Sequence, residues 1–218
     1  MGAMTMTTRP VPAELTRAVE LLTEEFAGVF GRETVRDCVL DSFERLRPGA
    51  RVTAYLPLFA HRFARERLRA CGLAQGSIPK SAPVVLFICT HNAGRSQLAA
   101  ALLAQAAGNR VTIASAGTAP TAAVDPVVLE VLAERDIDAS DAYPKPLTQE
   151  IVEAADVVIT MGCGDACPVL PGRRYLDWDL PDPVGADLDT VRSIRDDIEA
   201  RVQLLLIELL PTTAEATP

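Results

Sequence analysis

Five cysteines stand in a chain that has only two histidines, His61 and His91. They are Cys38, Cys71, Cys89, Cys163 and Cys167. Cys89 closes the apolar run Val84–Ile88, and five residues separate it from Arg95: Thr90, His91, Asn92, Ala93 and Gly94. Ser96 follows the arginine. A strand, a tight loop and a helix opening at Arg95 would build an oxyanion cradle. The helix N-terminus offers unpaired amides and the positive end of its dipole. The loop aims further amides inward, with Gly94 expected to supply backbone freedom. Arg95 can fork onto two oxygens of a tetrahedral anion. Cys89 at the cradle floor is expected to act as a thiolate nucleophile, with Ser96 placed to hydrogen-bond the sulfur. The bland alternative is a buried strand-end thiol, and Gly94, Arg95 and Ser96 in their places argue against it.

A second group reads Thr160-Met-Gly-Cys163-Gly-Asp-Ala-Cys167-Pro168. It begins where a third strand should end. The C-terminal ends of parallel strands open onto one rim, so Cys163 is expected close to Cys89. Thiol–disulfide exchange between such cysteines would carry two electrons. Gly162 and Gly164 would give the segment mobility. Ordinary loop thiols are the alternative. Zinc is disfavoured, since a pair of cysteines four residues apart lacks two further ligands, and no metal is expected. Cys38 and Cys71 read as packing residues.

The elements that must position these groups follow from apolar spacing. Residues 13–26 place Leu15, Val19, Leu22 and Phe26 on one helical face. Residues 33–46 carry Val35, Val39, Phe43 and Leu46, ended by Pro48-Gly49. Residues 56–71 carry Leu58, Phe59, Phe63 and Leu68, with Gly72 as the expected C-cap. These predict a three-helix bundle over residues 1–75. Arg62, Arg65, Arg67 and Arg69 read as its solvated face. Residues 76–83 are rich in breakers and read as a linker. A domain over 84–218 then alternates strands and helices: strands at 84–88, 111–115, 157–160 and around Tyr175-Leu176, and helices at 95–107, 126–135, 148–154 and 188–209. Asp125 and Thr148 are expected N-caps. The fold class is α/β, a four-stranded parallel sheet flanked by helices and preceded by the helical bundle.

Bulk composition narrows the partners. The 218 residues are 49% hydrophobic and 23% charged, with a net charge of −8. This fits a globular protein with a core of its own and argues against nucleic acid. No segment offers the ~18 uncharged apolar residues that a membrane span needs. Residues 1–9 have one basic residue and no apolar run, so no signal peptide is expected. A cytoplasmic monomer is the default expectation. An anionic substrate must be attracted by a local site, because the global field repels it.

Residues ~83–210 resemble the low-molecular-weight tyrosine phosphatase superfamily and, within it, the arsenate reductases. The resemblance is carried by Cys89-Thr-His-Asn-Ala-Gly-Arg-Ser-Gln97, Ser115-Ala-Gly-Thr118 and Leu180-Pro-Asp182-Pro183. It implies that Asp182 is the general acid that protonates the leaving oxygen, with Asp179 as the neighbour that could be mistaken for it. It further implies a relay resembling that of the three-cysteine, thioredoxin-coupled arsenate reductases. Cys89 attacks arsenate, Cys163 attacks Cys89, and Cys167 takes the disulfide for thioredoxin to reduce. No bound cofactor is implied. The three residues between Cys163 and Cys167 are fewer than in the best-known members. Three other readings stay open. One passes the arsenic adduct to mycothiol, a second is a phosphotyrosine phosphatase, and a third is a non-catalytic redox or arsenic sensor. Val184-Gly185 after the acid, where phosphotyrosine enzymes carry aromatic walls, favours a small inorganic anion. Trp178 reads as core packing beside the sheet.

Overall fold

The computed structural model describes residues 10–49, 53–164, 167 and 169–210. Residues 1–9, where no signal peptide is expected, lie outside the described residues. The chain divides into two compact units, residues 1–68 and 69–218.

In the first unit, α1 (Ala13–Glu25) and α2 (Arg32–Leu46) bury Leu15, Val19, Leu22, Val35 and Val39. α3 (Leu56–Gln75) begins in this unit and ends beyond it. Its buried face here is Leu56, Ala60, Phe63, Ala64 and Leu68, while Leu58, expected inside, is 52% exposed. Small alanines let the backbones approach, and Leu58 falls outside that stripe. Arg67 also departs from expectation. Instead of joining the solvated face with Arg65 and Arg69, it is buried, donates to Ser42 Oγ at 2.9 Å and pairs with Asp41 at 2.7 Å.

α3 does not stop at Gly72. It runs on to Gln75, and Gly76, at φ +72°, takes the left-handed position that ends it. Gly72 is small for a different reason. A Cβ there would lie 2.5 Å from Ile78 Cδ1, and the Ile78 amide donates to the Gly72 carbonyl at 3.0 Å.

The second unit is a four-stranded, wholly parallel sheet with the order β2-β1-β3-β4. The strands are β1 (Val84–Cys89), β2 (Thr112–Gly117), β3 (Val157–Met161) and β4 (Arg174–Asp177). Every residue of β1 is buried, as a central strand covered on both faces must be. Val85, Phe87 and Cys89 join one core with Leu98, Leu102, Ile194, Ile198 and Val202 of α4 (Arg95–Ala107) and α7 (Leu188–Leu209). By strand alternation Leu86 and Ile88 point the other way. α5 (Pro126–Ala133) packs against α4 and α7, and α6 (Gln149–Ala154) against β1. Asp125 caps α5 by accepting from the Val127 amide. Thr148 stands at the cap position of α6 but makes no capping bond, and its hydroxyl is buried without a partner among the described residues. Trp178 is core, with its ring centroid 5.7 Å from that of Phe87.

The register places the chemistry. Cys89 lies opposite Gly117 on one side and Met161 on the other, so three strand ends are level at one rim. The chain leaves β1 toward β2 on one side and returns to β3 on the other. Such a switch point opens a crevice at the strand C-terminal ends.

The buried Arg67 gives a stability test. Burial pushes the Asp41 carboxyl up, but hydrogen bonds and charge from Arg45 and Arg67 outweigh it and hold the group below its ordinary value of 3.8. A carboxyl lowered in the folded state adds stability at neutral pH and loses it as pH falls through the folded value. Arg67→Met should cost about 1–2 kcal/mol in urea denaturation at pH 7, the modest size reflecting the half-exposed Asp41. The gap from wild type should narrow as pH drops below about 4. A gap that is constant with pH would mean that only the packing of the arginine stem mattered.

Candidate active site

The loop Cys89–Gly94 is shaped by where its carbonyls are held. The Cys89 carbonyl accepts from Thr118 N at 3.3 Å, Thr90 from Ala119 N at 2.8 Å, His91 from Thr121 N at 3.1 Å and Ala93 from Asp125 N at 3.0 Å. Gly94 accepts from Gln97 N and Leu98 N, both at 3.0 Å. The Asn92 carbonyl accepts from the side chain of Gln97, with Nε2 at 3.0 Å. Segment 118–125 thus lies along the loop as an outer rail. In a trans peptide the carbonyl of one residue and the amide of the next point in opposite directions. Holding six carbonyls outward therefore turns the amides of residues 90–95 inward. The Asn92 amide shows the direction, reaching Cys89 Sγ at 3.2 Å.

Asn92 holds this shape from within. It adopts φ +49°, a left-handed conformation that asparagine tolerates better than most residues. Its side chain is fully buried, with Oδ1 accepting from Lys145 N at 2.9 Å and Nδ2 donating to Ser96 Oγ at 2.9 Å. The Lys145 donor fixes which end of the amide is oxygen. Asn92 supplies a proton to the Ser96 oxygen, so the hydroxyl's own proton is free to donate to Cys89 Sγ, 3.0 Å away, when the sulfur is a thiolate. Cys89 is a buried free thiol that takes one backbone and one hydroxyl contact. The sequence offered Ser96 both for the oxyanion and for the sulfur, and its hydroxyl lies 3.0 Å from Cys89 Sγ.

Gly94 was expected for backbone freedom. It sits at φ −125° and ψ −100°, and the left-handed residue of the loop is Asn92. What excludes a side chain at Gly94 is Pro183, whose Cγ would lie 2.5 Å from a Cβ there. The segment carrying Asp182 therefore rests directly on the loop. Arg95, buried at the first turn of α4, donates from Nη2 to Asp182 Oδ2 at 2.8 Å and from Nη1 to the Leu180 carbonyl at 3.2 Å. The other Asp182 oxygen accepts from Val184 N at 3.1 Å. Asp179 is exposed and touches the neighbouring structure through its carbonyl, which accepts from Arg201. Of the two acids, Asp182 is the one joined to Arg95.

Cys163 and Cys167 form a disulfide with Cα atoms 6.2 Å apart. Cys163 is 8% exposed and follows Met161, the partner of Cys89 in the sheet, by two residues. Gly162 between them sits at φ +71° against the oxyanion loop. Its carbonyl accepts from Thr90 Oγ1 at 3.1 Å, and a Cβ on it would lie 2.6 Å from Arg95 Nη1. Cys38 and Cys71 are half-buried in the helical region, and the Cys38 sulfur lies 3.7 Å from the Ala64 carbonyl.

Sequence reading missed the scaffold behind the loop: the rail 118–125, Gln97, Gly117 and Lys145. A Cβ at Gly117 would lie 2.8 Å from the Thr90 carbonyl and 2.9 Å from Asn92 Cβ. The Ser115-Ala-Gly-Thr118 match and Gln97 at the end of the Cys89 match pointed there, and neither carried a role.

Ser96→Ala removes the hydroxyl from the sulfur and strands the buried Asn92 Nδ2. Alkylation of Cys89 by iodoacetamide near neutral pH should slow about tenfold, the scale of one buried hydrogen bond. An unchanged rate would mean that the backbone amides alone sustain the sulfur.

Residues 84–214 match the family described as low molecular weight phosphotyrosine protein phosphatase, and residues 15–72 the one described as protein-tyrosine-phosphatase-like, N-terminal domain. A putative arsenate reductase of Halobacterium salinarum is 38% identical over 130 residues, 57% of this chain and 92% of that protein. The structure of a thioredoxin-dependent arsenate reductase from Corynebacterium glutamicum superposes with a TM-score of 0.80 at 43% identity, covering 89% of this chain and 95% of that one. An arginine phosphatase from Geobacillus stearothermophilus gives a TM-score of 0.51 at 27% identity, over 58% of this chain and 92% of its own. With the matched region spanning more than half of its length, the chain belongs to the low molecular weight phosphotyrosine protein phosphatase family.

Proposed function

We propose that the protein reduces arsenate to arsenite, with Cys89 as nucleophile and Cys163 and Cys167 relaying a disulfide to thioredoxin. The observation that carries this reading is the Cys163–Cys167 disulfide on the segment leaving β3, whose Gly162 carbonyl accepts from Thr90 of the Cys89 loop, while Cys89 keeps its free thiol. A hydrolase of this fold needs the thiolate, the cradle and the acid alone. A reductase also needs an exit for two electrons, and this chain has one. The relatives named arsenate reductase, and above all the thioredoxin-dependent one that aligns with 89% of this chain, support the same reading. On this reading the reductase domain spans 84–218, after a helical domain 1–75 and a linker 76–83.

The steps run as follows. The amides of Thr90, His91, Asn92, Ala93, Gly94 and Arg95 and the Arg95 guanidinium bind the anion. Cys89 Sγ attacks arsenic and forms an S–As bond, while Asp182 protonates the departing oxygen, which leaves as water. Cys163 Sγ then attacks Cys89 Sγ. The S–S bond forms, the S–As pair passes to arsenic, and arsenic(V) leaves as arsenic(III). Cys167 attacks Cys163, which frees Cys89 and yields the disulfide present in the structure. A thioredoxin dithiol reduces that disulfide and resets the enzyme. No prosthetic group is required.

The test is arsenate-dependent NADPH consumption by the purified chain with thioredoxin and thioredoxin reductase. No consumption in that mixture, with consumption appearing on addition of mycothiol, would replace thioredoxin as the reductant. Cys163→Ser should abolish arsenate reduction yet retain any aryl-phosphate hydrolysis. Loss of both, or of neither, would refute the division of roles. Asp182→Asn should slow adduct formation by ~10²–10⁴, the usual worth of a general acid. A normal rate would show that the acid is another group.

A further inference from the structure

We propose that Gln97 is a positioning residue that sets the affinity of the cradle for its oxyanion. The inference rests on the oxyanion-binding part of the proposed function and does not depend on the redox relay.

Among the described residues, five of the six cradle carbonyls are held by backbone amides, which no side-chain substitution removes. The sixth, that of Asn92, is held by Gln97 Nε2. This is also the carbonyl of the left-handed residue, where ordinary backbone preference does least to fix the peptide plane. That plane carries the Ala93 amide. With the Gln97 donor gone, the Asn92 carbonyl is a buried acceptor without its partner. The peptide regains a partner by rotating, and rotation turns the Ala93 amide out of the cradle. The damage is therefore specific: one anion donor is lost while the sulfur keeps its own contacts, because Asn92 N lies on the preceding peptide and the Asn92 carboxamide that holds Ser96 Oγ keeps its Lys145 amide donor.

Gln97 also joins the cradle to a distant segment. Its Nε2 lies 3.2 Å from Asn92 Oδ1 and 3.2 Å from the Tyr143 carbonyl. Residues 143–147 are in turn fixed to the end of β2, where Gly117 N donates to the Lys145 carbonyl and Leu147 N to the Gly117 carbonyl, both at 2.9 Å. The carboxamide, 6% exposed, thus stands behind the loop and acts on the anion through the Asn92–Ala93 peptide.

The probe is inorganic phosphate, titrated calorimetrically into the full chain, with thermal unfolding recorded in parallel. Gln97→Met keeps the length and removes the donor. It should weaken phosphate about tenfold, the worth of one anion-facing hydrogen bond. Gln97→Glu sets a carboxylate against the Asn92 and Tyr143 carbonyls. Its phosphate affinity, taken as a ratio to wild type, should fall further near pH 8 and recover toward about pH 5, where a protonated glutamate can again donate. Either variant binding phosphate within about twofold of wild type at every pH would overturn the proposal. So would losses that follow thermal stability and show no recovery in the glutamate variant, since a merely structural role predicts that pattern. Wild type that binds no phosphate would overturn the cradle reading itself, a result distinct from any failure of arsenate reduction.

Discussion

The structure depends on outward-held carbonyls. A loop of six residues can aim its amides at one point only if something accepts the cost of facing its carbonyls away, and buried carbonyls need donors. Residues 118, 119, 121 and 125 supply most of them. That segment can lie there because it leaves β2 level with the end of β1, at the register Cys89–Gly117. The parallel sheet is thus more than a platform. Its register delivers the rail to the loop, and a shift by one residue would present the wrong set of donors.

Three glycines around the site admit close neighbours. Gly117 admits the Thr90 carbonyl, Gly94 admits Pro183 and Gly162 admits the Arg95 guanidinium, each closer than a Cβ would allow. Gly117 ends β2, Gly162 follows the end of β3, and Gly94 belongs to the Cys89 loop itself, at the N-cap of α4. Arg95 is the busiest of these contacts. It bridges the acid segment and lies against the segment that carries the disulfide. The segments that carry Asp182 and the disulfide thereby both meet one guanidinium.

Much of this was legible in the sequence because it is local. The spacing from Cys89 to Arg95 states a strand, a loop and a helix in a single run. The helix read at 188–209 has those bounds as α7, and the structure adds Asp187 as its cap. The long-range groups were not legible. Gln97 reads as an ordinary polar residue in a first helical turn until Asn92 and Tyr143 are seen around it. Gly72 and Gly94 were assigned to backbone freedom, the commonest reason for glycine, whereas both answer to a neighbour from a later segment. Arg67 looked like one of several surface cations, and only the placement of Asp41 and Ser42 makes it interior. In each case the residue type was visible and the partner that gives it meaning was not.

A cradle made of peptide amides and one guanidinium carries a charge that protons do not change across the biological range. Amides do not titrate there, and arginine stays cationic. In a chain with a net charge of −8, this local positive field persists when the surrounding acidic surface gains or loses protons.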